Sequence, residues 1–172
     1  MHFRRSRNED IEQILAIIED ARQFLASQQI DQWQGPYPDR TRIEEDIRLD
    51  ISYVLEDSEV VGTAVLSFEP EECYRHIVGG AWLTEGENYG VIHRIAVQSA
   101  VRGKGYARRL FAELEQLAAQ AGKKSMRVDT HAQNMAMQNT LQKSGYVRCG
   151  IVHLIGSSED GDPRVAFEKV LK

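Results

Sequence analysis

The segment Arg102-Gly103-Lys104-Gly105-Tyr106-Ala107 has the residue types and spacing to hold an anion. It follows an apolar run ending at Val97 and precedes a long amphipathic segment beginning near Tyr106, so a strand, a glycine turn and a helix N-terminus come in that order. Glycines at 103 and 105 open backbone conformations closed to other residues and let the main chain approach a ligand. The N–H groups of a first helical turn point outward without intrahelical acceptors. One such contact is worth about 0.3–1 kcal/mol at an exposed site, so several donors, assisted by Arg102 and Lys104, must converge to hold a diphosphate. The segment is not a Walker loop, because Tyr106 and Ala107 stand where Lys and Ser or Thr are needed. It is not the dinucleotide fingerprint either, since Arg108 occupies the position of the third small residue.

Titratable groups lie close by in the sequence. His93 interrupts the apolar run Val91-Ile92-His93-Arg94-Ile95-Ala96-Val97, and strand alternation places it on one face with Val91 and Ile95. Asp129 and His131 alternate onto one face of a second short run, where a carboxylate beside two imidazoles would orient one of them and raise its basicity. The competing role for Asp129 is a plain ion pair with Arg94 or Arg127. Trp33, Tyr37, Tyr74 and Trp82 can enclose an acceptor or serve as ordinary core aromatics. Asn134 opens a helix, where a cap and a ligand contact are compatible roles.

Arg102, Gly105 and Ala107 match the Arg-x-x-Gly-x-Ala signature of the GNAT superfamily, the GCN5-related N-acetyltransferases, and the chain resembles that family well beyond this motif. Val91–Val97 looks like the family's fourth strand. Asn134, Met137, Gly145 and Tyr146 are similar to its second cofactor segment. The resemblance implies acetyl-CoA as cofactor, its pyrophosphate on Arg102–Ala107 and its pantetheine arm between Ile95-Ala96-Val97 and Arg127–His131, with a contact to Asn134. It also implies transfer of acetyl to an amine by direct attack in a ternary complex, with a backbone N–H near Val97 polarising the carbonyl; the catalytic candidates His93, Asp129 and His131 come from the residues themselves. Two positions depart from the family pattern: Leu141 stands where many members carry the Tyr that protonates the leaving thiolate, and Val91 where some carry a catalytic Glu. Those departures leave a catalytically silent acyl-CoA sensor as the alternative to an enzyme.

These groups need a frame to position them. His2 to Arg5 reads as an edge strand, and Asn8 as the cap of a helix with Ile11, Ile14, Leu15, Ile18, Ala21 and Leu25 at helical spacing. Gln28 to Arg40 breaks the pattern with Trp33, Gly35, Pro36, Tyr37 and Pro38, and reads as a loop suited to be a substrate lid. Thr41 and Glu44 resemble a capping box for a second helix. Ile51–Leu55 and Val60–Phe68 read as a hairpin, followed by a strand over Tyr89–Val97, a helix stopped at Gly122, a strand over Met126–Thr130, and a helix from Asn134 to Ser144. A strand over Tyr146–Ile155, a polar turn at Ser157 to Pro163 and a strand over Val165–Leu171 complete the chain. This order predicts a single α/β domain over residues 1–172, built on a mixed, mostly antiparallel sheet of about seven strands with helices on both faces.

Composition sets the outer bounds. With 172 residues and 42% hydrophobic content, one well-filled core is expected rather than two. A net charge of −5 argues against a nucleic-acid binder, and the acidic cluster Glu69, Glu71, Glu72, Glu85 and Glu87 is either a solvated rim or a lure for a cationic amine. No run approaches the ~18 apolar residues of a membrane span, so a cytoplasmic protein without a membrane partner is expected, and exposed sheet edges make a homodimer plausible. Cys73 and Cys149 lack metal-ligand spacing, and no metal is expected. The acceptor, a small molecule or a protein amine, is not legible because acceptor pockets are built from the variable loops.

Overall fold

The computed structural model describes residues 1–156 and 158–172; Ser157, the first residue of the expected polar turn, lies outside them. Seven strands form one sheet: β1 His2–Arg5, β2 Ser52–Asp57, β3 Glu59–Ser67, β4 Tyr89–Val97, β5 Ser125–Thr130, β6 Val147–His153 and β7 Pro163–Val170. Their spatial order is β1-β2-β3-β4-β5-β7-β6, antiparallel throughout except for the parallel β4–β5 pair. Among the described residues four α-helices flank it: α1 Ile11–Ser27, α2 Arg40–Arg48, α3 Tyr106–Gln120 and α4 Met135–Lys143.

Alternation along the strands divides the core between the two faces. Val54, Val60 and Ala96 pack against Ile14, Ile17 and Ile18 of α1 and Ile43 of α2. Their neighbours Leu55, Val61 and Ile95 face the other way, onto Leu110, Phe111 and Leu114 of α3 and Leu141 of α4. Each of these buried α3 side chains contributes roughly 1.5–3 kcal/mol. Packing therefore holds α3 in place, and its uncapped N-terminus is left available.

The local signals at two helix starts differ from expectation. Asn8 is exposed within a 3-10 turn, Asn8–Asp10; Asp10 accepts the Arg7 N–H at 2.7 Å and both Nη groups of Arg4, so the cap is built on a buried ion pair instead. At α2 the cap is Asp39, accepting the Arg42 N–H at 2.9 Å, while Glu44 lies beside Arg40. Asp binds an N3 amide as well as Thr does, and the sequence offers both.

Two irregularities shape the centre of the sheet. β4 and β5 pair only through Tyr89↔Ser125, Gly90↔Met126 and Val91↔Arg127, and beyond that point they part. In β4 the register against β3 shifts between Val65↔His93 and Thr63↔Ala96, so β4 carries one extra residue, with Arg94 at φ +48°. The bulge overturns the simple alternation: His93 shares its face with Val91, but Ile95 has turned to the α3 side with Ile92.

Candidate active site

Where β4 and β5 diverge, a cleft of about 770 Å³ enters the molecule, bordered by both strands, the α1–α2 connection, and the N-termini of α3 and α4. At its outer end lies the glycine turn. Gly103 and Gly105 take φ +78° and +84°, and a Cβ at either would meet nothing within 4 Å, so it is backbone conformation rather than crowding that calls for glycine here. Gly105 is the N-cap of α3 and supplies no side-chain cap, so the N–H groups of the first turn keep their capacity for an anion. Arg108 of α3 and Lys143 of α4 border the same end. Arg102 borders it too, stacked over Phe24 at 4.0 Å and 3.8 Å from Asp20. Lys104 is exposed on the turn and does not reach the cleft wall. Tyr106 and Ala107 line the wall, and the Tyr106 hydroxyl donates to Asp57 at 2.9 Å.

The unpaired edge of β4 from Ile95 to Val97 runs inward from this turn. At the inner end His93 Nε2 stands 2.9 Å from Glu71 Oε1, both groups partly accessible from the cleft. The hydrogen bond with His93 holds the Glu71 carboxyl below the usual range against the opposing pull of burial. Glu71 belongs to the acidic run that composition alone reads as a rim. Its pairing with His93 depends on how the connection from β3 to β4 folds back over the sheet.

Asp129 stands level with His93 on the parted β5. Its Oδ2 accepts the Tyr74 hydroxyl at 2.7 Å, and burial raises its pKa. It pairs with neither expected arginine: Arg94 is bidentate to Asp46, and Arg127 bonds Glu168 at 3.0 Å. His131 lies outside the cleft, its Nδ1 accepting the Gln133 N–H at 3.1 Å, and is not brought to Asp129 or His93. Cys73 borders the cleft beside them, and burial pushes its thiol up to about 12.

The four aromatics separate. Trp33 and Tyr37 border the cleft, whereas Tyr74 is fully buried behind Asp129. Trp82 is only partly buried and stays outside the cleft, donating Nε1 to the Tyr74 carbonyl at 2.8 Å and stacking over Arg127 at 4.3 Å. The loop carrying Trp33 and Tyr37 forms a wall of the cleft, tied to α1, to the loop at Glu159 and to Asn134. The Trp33 N–H donates to Glu159 at 2.7 Å, its carbonyl accepts Arg22 Nε at 2.7 Å, and Gln32 accepts from Asn134 at 3.0 Å. Asn134 also caps α4 through the Met137 N–H at 3.1 Å, joining loop, helix and cleft.

A seven-stranded mixed sheet opened between its parallel central strands, with a glycine turn and an uncapped helix N-terminus after the fourth strand, defines an acyltransferase architecture. Residues 16–146 match the model of the acetyltransferase (GNAT) family, and the chain belongs to that family. It is similar over 99% of its length, at 34% identity and a TM-score of 0.88, to an acetyltransferase of the GNAT family from Streptococcus agalactiae, covering 95% of that chain. A second solved structure, titled as an acetyltransferase of Staphylococcus aureus, matches at 26% identity and a TM-score of 0.74, with all of both chains covered. The ribosomal-protein-alanine N-acetyltransferase of Brucella melitensis shares the fold at 22% identity and a TM-score of 0.67, with 99% of this chain and 100% of that one covered. No curated protein sequence matches. Among the described residues no helix is long and apolar enough to cross a membrane.

Proposed function

We propose that this protein is an acetyl-CoA-dependent N-acetyltransferase that brings a neutral amine to the acetyl thioester within a ternary complex. The observation that carries this reading is the continuous path between the parted strands, from the left-handed glycines at 103 and 105 to the His93–Glu71 pair. The cradle suits a diphosphate, and the free edge Ile95-Ala96-Val97 suits the amide groups of an extended pantetheine arm. Acetyl-CoA seated there supplies the activated acetyl group. Holding both reactants in register is worth on the order of 7–11 kcal/mol of barrier, more than any single acid or base contributes. The Val97 region offers backbone N–H groups to the carbonyl oxygen. Glu71 is ionised at neutral pH and fixes the His93 ring, leaving Nδ1 to take the amine proton. Cys73 stays a thiol at that pH, which favours direct attack over a cysteine-bound acetyl group.

The test is calorimetry with CoA together with thiol release from acetyl-CoA across a panel of amines. Wild type should bind CoA and release thiol above the hydrolysis rate with at least one amine, and Gly105→Glu, which puts a carboxylate at the cradle, should abolish binding while keeping the fold. Binding without thiol release for any amine would favour a silent acyl-CoA sensor. Unchanged CoA affinity in Gly105→Glu would remove the cradle from the proposal.

A further inference from the structure

Among the described residues, the buried side-chain polar atoms without a hydrogen-bond partner are Glu115 Oε1, Thr130 Oγ1, Tyr146 Oη and Arg164 Nη2. Two of these residues, Thr130 and Arg164, border the cleft. Arg164 Nη2 lies 3.1 Å from the Glu159 carboxylate and so has an ionic partner. Thr130 is 1% exposed at the end of β5, and its hydroxyl has none. A buried hydroxyl without a partner is costly, and native proteins keep one where something outside the protein satisfies it.

Its position indicates what that is. Counting on from the last β4–β5 pair, Val91↔Arg127, sets Asp129 against His93 and Thr130 against Arg94, one step towards the open end of the cleft. Val128 packs on the α3 side of the sheet, and strand alternation sends Thr130 to that side, opposite the face that carries His93, Glu71 and Asp129. An amine activated by His93 approaches from one face of the sheet, so the bond to the leaving group opens toward the other. Nearby, Leu141 is fully buried and aliphatic and contributes no donor.

We infer that the Thr130 hydroxyl is the hydrogen-bond donor to the departing sulfur of CoA, an assignment that rests on the acetyl-transfer reading above. As nitrogen bonds to the carbonyl carbon and the carbon–sulfur bond breaks, the electron pair leaves on sulfur and the surplus amine proton passes to His93. Thr130 keeps its proton and donates a hydrogen bond to the thiolate. It acts on the leaving group, whereas Glu71 acts on the base.

The test compares Thr130→Val, which keeps the shape and removes the hydroxyl, with Thr130→Ser, which keeps the hydroxyl. Without ligand, Thr130→Val should melt at or above the wild-type temperature, because no internal bond is lost. In calorimetry at about pH 9, where a free thiol of ordinary pKa is largely ionised, wild type and Thr130→Ser should bind CoA about tenfold more tightly than desulfo-CoA, and Thr130→Val should show no preference. Turnover in Thr130→Val should fall about tenfold at unchanged KM for acetyl-CoA and recover in Thr130→Ser. A Thr130→Val protein that keeps the preference for CoA, or that melts several degrees lower without ligand, overturns this assignment alone. A wild-type protein that does not bind CoA overturns the parent reading and this one with it.

Discussion

At the scale of single residues, the contact with the most consequence is the 2.9 Å pair of His93 and Glu71. A carboxylate held on one ring nitrogen fixes the ring's orientation and tautomer and leaves the other nitrogen free to accept a proton. His93→Ala should therefore lower kcat by about 10²–10⁴, the usual contribution of a general base, with little change in CoA affinity. Glu71→Gln, whose amide oxygen can still accept from Nε2, should lower kcat less, whereas Glu71→Ala, which frees the ring, should lower it nearly as far as His93→Ala. Wild-type turnover in Glu71→Ala would place the carboxylate outside the proton path. Cys73→Ser should keep wild-type turnover, since a thiol with its pKa pushed up to about 12 contributes no nucleophile at neutral pH. Loss of turnover together with trapping of an acetylated cysteine in the wild type would contradict direct attack.

Among the elements, the parting of β4 from β5 creates the cleft, and a buried polar network secures its vertex. Arg127, on the last paired position, is held by Glu168 of β7 at 3.0 Å and stacked between Trp82 and Tyr89 at 4.3 and 3.9 Å. Glu168 is fully buried. Burial alone would raise its pKa, but hydrogen bonds from Ser125, Thr84 and Arg127 outweigh that and hold it low. Glu168→Ala should destabilise the fold by about 3–5 kcal/mol, because it leaves a buried guanidinium without its counter-charge and the Leu83 and Thr84 amides without an acceptor. Denaturant unfolding measures this, and a loss below about 1 kcal/mol would mean the vertex stands without the network. Hydrophobic periodicity made the strands and helices legible, down to the stop of α3 at Gly122 with φ +73°. It did not reveal the bulge at Arg94, whose guanidinium bonds Asp46 on α2. Nor did it reveal Glu71, which comes to His93 only through tertiary folding of a loop, whereas the glycine turn at 103 and 105 was readable because its requirement is local backbone conformation.

For the molecule as a whole, the carboxylates oppose one another in a way that pH can separate. Asp10, Glu71 and Glu168 have lowered pKa values in the fold, the first chiefly through its hydrogen bonds with Arg4. Their contribution to stability is complete above the unfolded value near 4 and is lost as pH falls through the folded values. Asp129 runs the other way. Burial raises its pKa, so keeping it ionised costs stability at neutral pH, and that cost vanishes once the group is protonated in both folded and unfolded chains. Asp129→Asn removes the charge while keeping an oxygen for the Tyr74 hydroxyl. The variant should melt above wild type at pH 7, and the difference should shrink as pH falls through the folded pKa of Asp129 and close near about pH 3. Because the chain carries a net charge of −5, loss of any one negative charge also relieves general repulsion, so Glu69→Gln at an exposed position is the control. Calorimetric melting of the three proteins across pH decides the matter. If Asp129→Asn gains no more than Glu69→Gln at pH 7, the cleft stores no charge against the fold. A larger gain at pH 7 would show that the molecule sacrifices stability to keep a buried carboxyl group level with His93.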